Sequence, residues 1–431
     1  MVERRKPIPV TEAVQRVMAL AHPKTSEWVT LEESDGRILA REIKADHDVP
    51  PFDRSPYDGF AIKAADTIRG SKDHPITLKV IEAIGAGDVA VRELTSGEAI
   101  RIMTGAQLPT GADAIIMLEL VQERQTDRLS EIVIKREVKQ GDNISRKGED
   151  TKEGTILVEK GEPITPGVKA ILATFGYAKV EVVKQPKVGV LATGSELLDP
   201  DQPLVPGKIR NSNAYMVMSQ VKKAGAIPVD LGKLADNLEV SFKAVKEALE
   251  EVDVLITTGG VSVGDFDFLP AIYEQLGATV LFNKIAMRPG SVTTVASLGE
   301  KLLFGLSGNP SACFVGFELY AGPYIRALQG KTKPYLLRTK ARLSGDFPKP
   351  NPFTRFVRSR VEFSEGRVLA KPVGLDKSNV VTSLAWANAL TVLPGGTRGY
   401  QEGDLVDLLM LDGESSGEFD LENLSNRRTQ K

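Results

Sequence analysis

The sequence predicts a multidomain chain of α/β plus β class, on three observations. Between residues 186 and 330, strand-like apolar runs alternate with helical ones, the pattern of a mostly parallel sheet covered on both faces. Residues 47–150 and 331–411 instead carry short β-type runs separated by Gly, Pro and Asp. The length, 431 residues, gives about three domains at roughly 150 residues each.

Residues 9–21 read as an amphipathic helix, because Val14, Val17, Met18 and Ala21 recur at helical spacing and Thr11 can cap it. This helix, within 1–27, is expected to associate with the core. Segments 28–46 and 151–184 are expected to form a small linking domain. The first holds a short strand and a turn at Asp35-Gly36; the second holds runs 156–158 and 178–183 around a helix, 168–175, that Gly176 stops. The inserted mainly-β domain, 47–150, has strand runs at 76–81, 99–103, 114–118 and 132–134, and segment 122–150 is charge-dense and expected to be solvated. In the α/β domain, 185–330, runs at 188–191, 227–231, 254–257, 279–282, 292–295 and 302–306 alternate with helical runs at 213–224, 240–252, 268–276 and 312–328. Val245, Leu249 and Val252 make one apolar helix face. Runs at 335–343, 355–363, 367–372, 390–393 and 405–411 predict a small C-terminal barrel, and the polar tail 412–431 is expected to be disordered.

Composition narrows the chemistry. Hydrophobic residues are 42% and charged residues 26%, ordinary for a globular protein. No apolar run approaches a membrane span, and the basic start lacks the apolar stretch of a signal peptide, so a soluble cytoplasmic protein is expected. With 55 Lys and Arg against 57 Asp and Glu, no global basic field points to nucleic acid. The basic stretch 331–360 lacks an RNP-type aromatic motif. A single cysteine, Cys313, excludes an intramolecular disulfide, a cysteine zinc cluster and an iron–sulfur site, and it reads as buried and inert. His22, His47 and His74 stand in no metal-binding or triad context. Chemistry therefore falls to carboxylates, lysines, arginines, hydroxyls and backbone amides.

Three loops follow predicted strands of the α/β region: Ala192-Thr193-Gly194-Ser195-Glu196, Thr258-Gly259-Gly260-Val261-Ser262-Val263-Gly264-Asp265, and Ser307-Gly308-Asn309-Pro310. Ligands of open α/β sheets bind at such strand ends, and glycine lets backbone amides approach an anion. A single such loop is more often only a turn; three in one domain favour a binding crevice. None of them matches a P-loop or a dinucleotide motif. Glu196, Asp236, Asp265 and Asp267 lie in or near these loops and offer the hard oxygen ligands that Mg²⁺ prefers; the aspartates can equally cap the helices that follow. Lys284 and Arg288 precede the turn Pro289-Gly290 and can clamp an anion or remain solvated surface cations.

Together these segments resemble the molybdopterin molybdenumtransferase family, which includes bacterial MoeA and the E domain of gephyrin. The likeness runs from about residue 8 to 411. It rests on PPFDRSPYDGFA (50–61), RIMTGAQLP (101–109), RKGED (146–150), TGSEL (193–197), TTGGVSVGDFDF (257–268), KIAMRPG (284–290) and LSGNPSA (306–312), in that order. The resemblance implies an elongated four-domain homodimer that inserts molybdate into adenylylated molybdopterin, releasing AMP with Mg²⁺ as cofactor. It implies catalytic roles for Asp58, Asp150, Asp236, Asp267 and Lys284, with Asp58 and Asp150 serving across the dimer, and metal ligation by Glu196, Asp236 and Asp267. It implies substrate contacts from Thr104, Gly194, Ser195, Glu196, Gly259, Gly260, Ser262, Gly264, Arg288, Ser307, Gly308, Asn309, Pro310 and Arg358. Implied partners are a molybdopterin adenylyltransferase as substrate donor and molybdoenzymes downstream, with no nucleic acid and no membrane. Two departures stand out: Ser291 occupies a place where the family often has lysine, and Arg288 another where lysine is common. A non-catalytic molybdopterin-binding carrier or scaffold is the alternative reading.

Overall fold

The β-type runs of the inserted region satisfy their backbones in one six-stranded sheet, ordered Ala114–Met117, Gly59–Ile62, Glu98–Ile102, Ile76–Ile84, Leu129–Ile134, Val121–Thr126. The computed structural model describes residues 6–126, 129–234, 237–260, 269–350, 352–364, 366–412 and 415–416. The sheet is antiparallel except where Ile76–Ile84 runs parallel to Glu98–Ile102. Successive side chains of one strand feed opposite cores: Phe60 and Ile62 pack with Leu78, Ile116 and Ile132, whereas Ala61 packs with Ile84, Ile100 and Ile115. Segment 122–150 differs from the solvated stretch expected, because the charge of Glu123 and Arg124 lies on an outer strand while Ile132, Val133 and Ile134 are buried. The sheet lies in a unit formed by Glu42–Glu159 and Ala170–Tyr177, where Ile43–Lys44 also pairs with Ile156–Val158.

The second unit holds the remaining residues, Met1–Arg41, Lys160–Lys169 and Ala178–Lys431. Here Ser26–Thr30 pairs antiparallel with Lys179–Val183. Its main sheet is ordered Ile227–Leu234, Lys187–Thr193, Val254–Thr258, Lys301–Leu306, Thr294–Leu298, Thr279–Phe282. The first four strands are parallel, and Thr294–Leu298 pairs antiparallel with both Lys301–Leu306 and Thr279–Phe282, which makes the sheet mostly parallel with one reversed strand near its edge. Both faces are covered: Val188, Val190, Ile256 and Phe304 point into one core, and Leu191, Leu255 and Leu303 into another. Val245 and Leu249 of helix Leu238–Glu251 complete the second core. This helix is capped by Asn237, whose side-chain oxygen accepts from Val240 N at 3.1 Å, one residue beyond the Asp236 considered for the role. The first helix spans Val10–Met18 and buries Val10, Ala13, Val14 and Val17. Its N-cap is Pro9, so Thr11 lies inside the first turn and not at the cap expected for it.

Helix Pro310–Gly316 continues through a π-helical turn, Phe317–Ala321, into Gly322–Leu328. Cys313 is fully buried there, and burial pushes its thiol up. Five C-terminal strands close a barrel: Thr354–Ser364 pairs with Arg367–Pro372 and Ala389–Leu393, and Arg338–Leu343 and Leu405–Met410 complete the ring. The short strand Met287–Arg288 adds to it beside Thr354 and Arg355. Order extends further than expected at the C-terminus, because Ser415–Ser416 pairs with Tyr335–Leu336. Among the described residues, no helix is long and apolar enough to cross a membrane.

Gly59 shows why the Asp58-Gly59 motif tolerates no side chain: a Cβ there would stand 2.1 Å from Ile116 O. Gly59→Ala is expected to destabilise this unit by about 3 kcal/mol or more through overpacking against backbone. Equilibrium urea unfolding, followed by probes in each unit, measures it.

Candidate anion-binding site

Three parallel strands end together, at Thr193, Thr258 and Leu306, and the loops that follow meet backbone to backbone. Thr193 Oγ1 donates to Thr258 O at 3.1 Å, and Gly259 N donates to Leu306 O at 2.9 Å. Gly259 has φ +95°, and a Cβ there would lie 2.7 Å from Thr193 Oγ1 and 2.8 Å from Thr193 O. Asn213 Nδ2 donates to Gly308 O at 2.8 Å, tying the third loop to helix Asn213–Lys223. The loops enclose a cavity of about 750 Å³ lined by Gly194, Ser195, Glu196, Gly259, Gly260, Ser307, Gly308, Asn309 and Pro310. All of these were expected from the sequence. Arg210, Asn211, Ser212 and Asn213 also line it and were not expected, because they fall between the two-residue strand Ile209–Arg210 and the first residue of helix Asn213–Lys223, where no motif marks them.

Glu196 brings a carboxylate to the rim; its Oε2 would lie 2.4 Å from a Cβ at residue 194, where the φ of +136° favours glycine. Asp236, Ser262, Gly264, Asp265 and Asp267 lie outside the described residues. The described residues flanking them, Leu234, Gly260 and Leu269, all line the cavity. Among the described residues, no group of three His, Cys, Asp or Glu forms a metal cluster.

A second cavity of about 470 Å³ adjoins the first and shares Val292, Ser307 and Asn309 with it. Arg288, Ser291, Arg355, Lys377 and Ser378 line it, which makes it cationic. Asp376 pairs with Arg355 and stands 3.3 Å from Lys349 Nζ, so the loop that carries Lys377 and Ser378 is fixed by ion pairs. Arg358 is only 1% exposed and lines neither cavity. Its Nε donates to Ser383 Oγ at 2.7 Å and Nη2 to Leu375 O at 2.8 Å, bracing the same loop from strand Thr354–Ser364. Burial pushes the Arg358 guanidinium down, and the charge of Asp376 opposes this. Arg355 was not singled out in the sequence; the signal is its place three residues before Arg358 on one strand. Lys284 is half-buried, lines neither cavity, and its carbonyl accepts from Ile8 N at 3.1 Å.

In the other unit the structure brings together three motifs far apart in sequence. Thr104 N and Oγ1 both donate to Asp58 Oδ1, at 2.7 and 2.8 Å, and hold its carboxyl below the usual range. Arg54 and Ser145 exchange backbone hydrogen bonds, and Ser55 pairs with Gly105 and Ala106. Lys147 N donates to Asp53 at 2.8 Å and Arg146 pairs with it at 2.7 Å, lowering that carboxyl as well. Asp150 N donates to Val49 O at 3.0 Å and its side chain is exposed.

The comparisons agree over the whole length. Residues 8–176 match the family described as MoeA N-terminal region (domain I and II), residues 189–327 the probable molybdopterin binding domain, and residues 340–411 the MoeA C-terminal region (domain IV). A molybdopterin molybdenumtransferase of Bacillus subtilis (strain 168) is 59% identical over 97% of this chain and 97% of its own. One from Staphylococcus aureus (strain COL) is 48% identical over 97% of this chain and 99% of its own. The crystal structure of the molybdopterin biosynthesis MoeA protein from Pyrococcus horikoshii OT3 superposes with a TM-score of 0.79 at 32% identity, covering 94% of this chain and all of that one.

Two outcomes follow from the geometry. Gly259→Ala must displace Thr193 and is expected to cost about 1–3 kcal/mol while narrowing the first cavity; thermal unfolding and a crystal structure of the variant test both. Thr104→Val removes one of two donors to Asp58, so the Asp58 carboxyl is expected to titrate higher than in the wild type. A ¹³C-carboxyl titration, assigned with Asp58→Asn, reads the shift, and an unchanged titration would refute the role of the hydroxyl.

Proposed function

The chain belongs to the molybdopterin molybdenumtransferase family, and from that premise we propose that it releases AMP from adenylylated molybdopterin as it inserts molybdate, with Mg²⁺, at the two adjoining cavities. Its role is molybdenum cofactor biosynthesis by molybdenum insertion, as an enzyme. The observation that carries the finer reading is the shared wall of the cavities at Ser307 and Asn309. The larger, glycine-lined cavity suits a phosphorylated pterin nucleotide, whose oxygens accept from backbone amides. The smaller cationic one suits a compact dianion, held by Arg288, Arg355 and Lys377 with hydroxyls of Ser291 and Ser378. An oxyanion seated there lies beside the ligand it must enter, so the two reactants meet without diffusing apart.

Carboxylate and hydroxyl oxygens at the first cavity fit a hard divalent cation, and Glu196, with Asp236 and Asp267 by resemblance, would hold it. Bound there, Mg²⁺ supplies polarisation of the phosphoanhydride. Glu196 repels an uncompensated phosphate, so its place on this rim makes sense with a cation between them. Roles for Asp58, Asp150, Thr104 and Lys284 are supported by the resemblance, as are a homodimer, receipt of substrate from an adenylyltransferase and delivery to molybdoenzymes.

The test mixes purified chain with adenylylated molybdopterin, Mg²⁺ and molybdate, and follows AMP release and reconstitution of an apo-molybdoenzyme. Both are expected to require molybdate and Mg²⁺. Tight adenylate binding without AMP release would instead support the carrier or scaffold reading. Arg288→Ala and Arg355→Met are each expected to raise the KM for molybdate by about 10- to 100-fold, the worth of one charge-assisted hydrogen bond. Unchanged KM in both variants would remove the oxyanion from the second cavity.

A further inference from the structure

We propose that Arg210 is the side chain that takes the phosphoryl group of the nucleotide at the first cavity. The inference rests on the nucleotide reading of that cavity and assigns the residue that reads the ligand's charge.

Backbone pairing fixes where Arg210 stands. After Glu196 the chain makes an excursion over residues 199–208 and returns alongside itself, with Leu197–Leu198 parallel to Ile209–Arg210. Ile209 N donates to Glu196 O at 3.0 Å and Asn211 N to Leu198 O at 2.8 Å, so the residues on both sides of Arg210 are held. Asn211 Oδ1 accepts from Ala214 N at 3.2 Å, which joins this strand to the start of helix Asn213–Lys223. Two lysines staple the excursion: Lys208 Nζ donates to Ser195 O at 2.7 Å, and Lys233 Nζ pairs with Asp199 at 3.0 Å. Arg210 donates from Nε and Nη2 to Gln202 O, at 3.3 and 3.2 Å. A guanidinium tethered by one edge to a neutral carbonyl is oriented in advance, and its charge stays available to another partner.

Charge singles this residue out. Among the described residues that line the first cavity, Glu196 is the one acid and Arg210 the one cation. The undescribed segments next to it, 235–236 and 261–268, contain three aspartates and no lysine or arginine. Carboxylates repel a polyanion, and backbone amides carry no formal charge to offset them. Glu196 and Arg210 share the cavity, yet neither forms an ion pair with any described residue. A ligand that carries both a divalent cation and a phosphoryl group satisfies both: the cation meets Glu196 and the oxygens meet Arg210. Arginine suits this task better than lysine, because its fork takes two phosphoryl oxygens at once.

The experiment measures binding of AMP and of adenosine to the full chain, with Mg²⁺ present, for wild type, Arg210→Met and Arg210→Lys. AMP is expected to bind about tenfold more weakly to Arg210→Met, the worth of one charge-assisted hydrogen bond at an exposed site. Adenosine, which lacks the phosphoryl group, is expected to bind all three alike. Arg210→Lys is expected to recover part of the loss, because it restores the charge without the fork. In turnover, Arg210→Met is expected to raise the KM for adenylylated molybdopterin and to leave the KM for molybdate unchanged, which separates it from Arg288 and Arg355 at the second cavity. Equal AMP affinity in wild type and Arg210→Met would overturn the proposal; if the thermal midpoint fell at the same time, Arg210 would be a staple of the excursion only. Loss of AMP and adenosine by one common factor would overturn the phosphoryl assignment. A wild-type chain that binds no AMP would instead overturn the nucleotide reading of the cavity, and the proposal with it.

Discussion

The site depends on one close approach, that of Gly259 to Thr193. A single methyl group on residue 259 would fall inside contact distance of both the hydroxyl and the carbonyl of Thr193. Without that approach the second loop could not reach Leu306 O with its amide, and the third could not pack within 3.6 Å of the Gly259 Cα, where a Cβ on Gly308 would sit. The three strand ends are held in line by parallel pairing, with Val254–Thr258 at the centre. A parallel sheet thus supplies the alignment and glycine the proximity, and a concave bed of backbone amides results. No lysine of the P-loop kind is needed, because amides supply the donors.

The barrel is tied to this bed through a different interaction. Met287–Arg288 pairs with the start of the long barrel strand, so Arg288 and Arg355 occupy matching positions on neighbouring strands. Two like charges side by side repel, and Asp376 beside Arg355 lowers that cost. Buried on both partners, this pair is also a costly one to break, since removing either leaves an uncompensated charge. The family resemblance places lysine where this chain has Ser291. Ser291 and Arg355 line the same cavity, so its positive character persists with the charge carried from the barrel side.

Much of this was legible in the sequence where a local rule and the tertiary fold agree. Strands buried on both faces read as apolar runs, and loops at their ends announced themselves through Gly-Gly and Ser-Gly-Asn-Pro. Legibility failed where a residue acts through a partner distant in sequence. Arg355 and Arg358 look equivalent in Arg-Phe-Val-Arg, yet one lines the cavity and the other is buried, because residues three apart on a strand face opposite sides of the sheet and only the tertiary fold decides which side meets the cavity. Asn213 carries no motif, and its role comes from a hydrogen bond to Gly308, 95 positions away. Helix caps failed for a smaller reason: the helix starts fall at Pro9, two residues before Thr11, and at Asn237, one residue after Asp236, and a boundary of one or two residues is not set by residue type.

Charge is the remaining constraint. The chain carries a net charge of −2, and the ligands proposed for it are polyanions. Attraction must therefore be local, and the two cavities provide it differently. Side-chain cations at the second cavity act over distance and are screened by salt, which suits capture of a small diffusing oxyanion. Backbone amides at the first act only at contact and gain strength where water is excluded, which suits orientation of a large ligand already bound. Glu196 among those amides works against binding unless a cation joins it, so the same residue that penalises a bare phosphate rewards a metal-bound one. On the proposed function, selectivity for a metal complex over free nucleotide would follow from one carboxylate on the rim, without any group dedicated to rejecting the competitor.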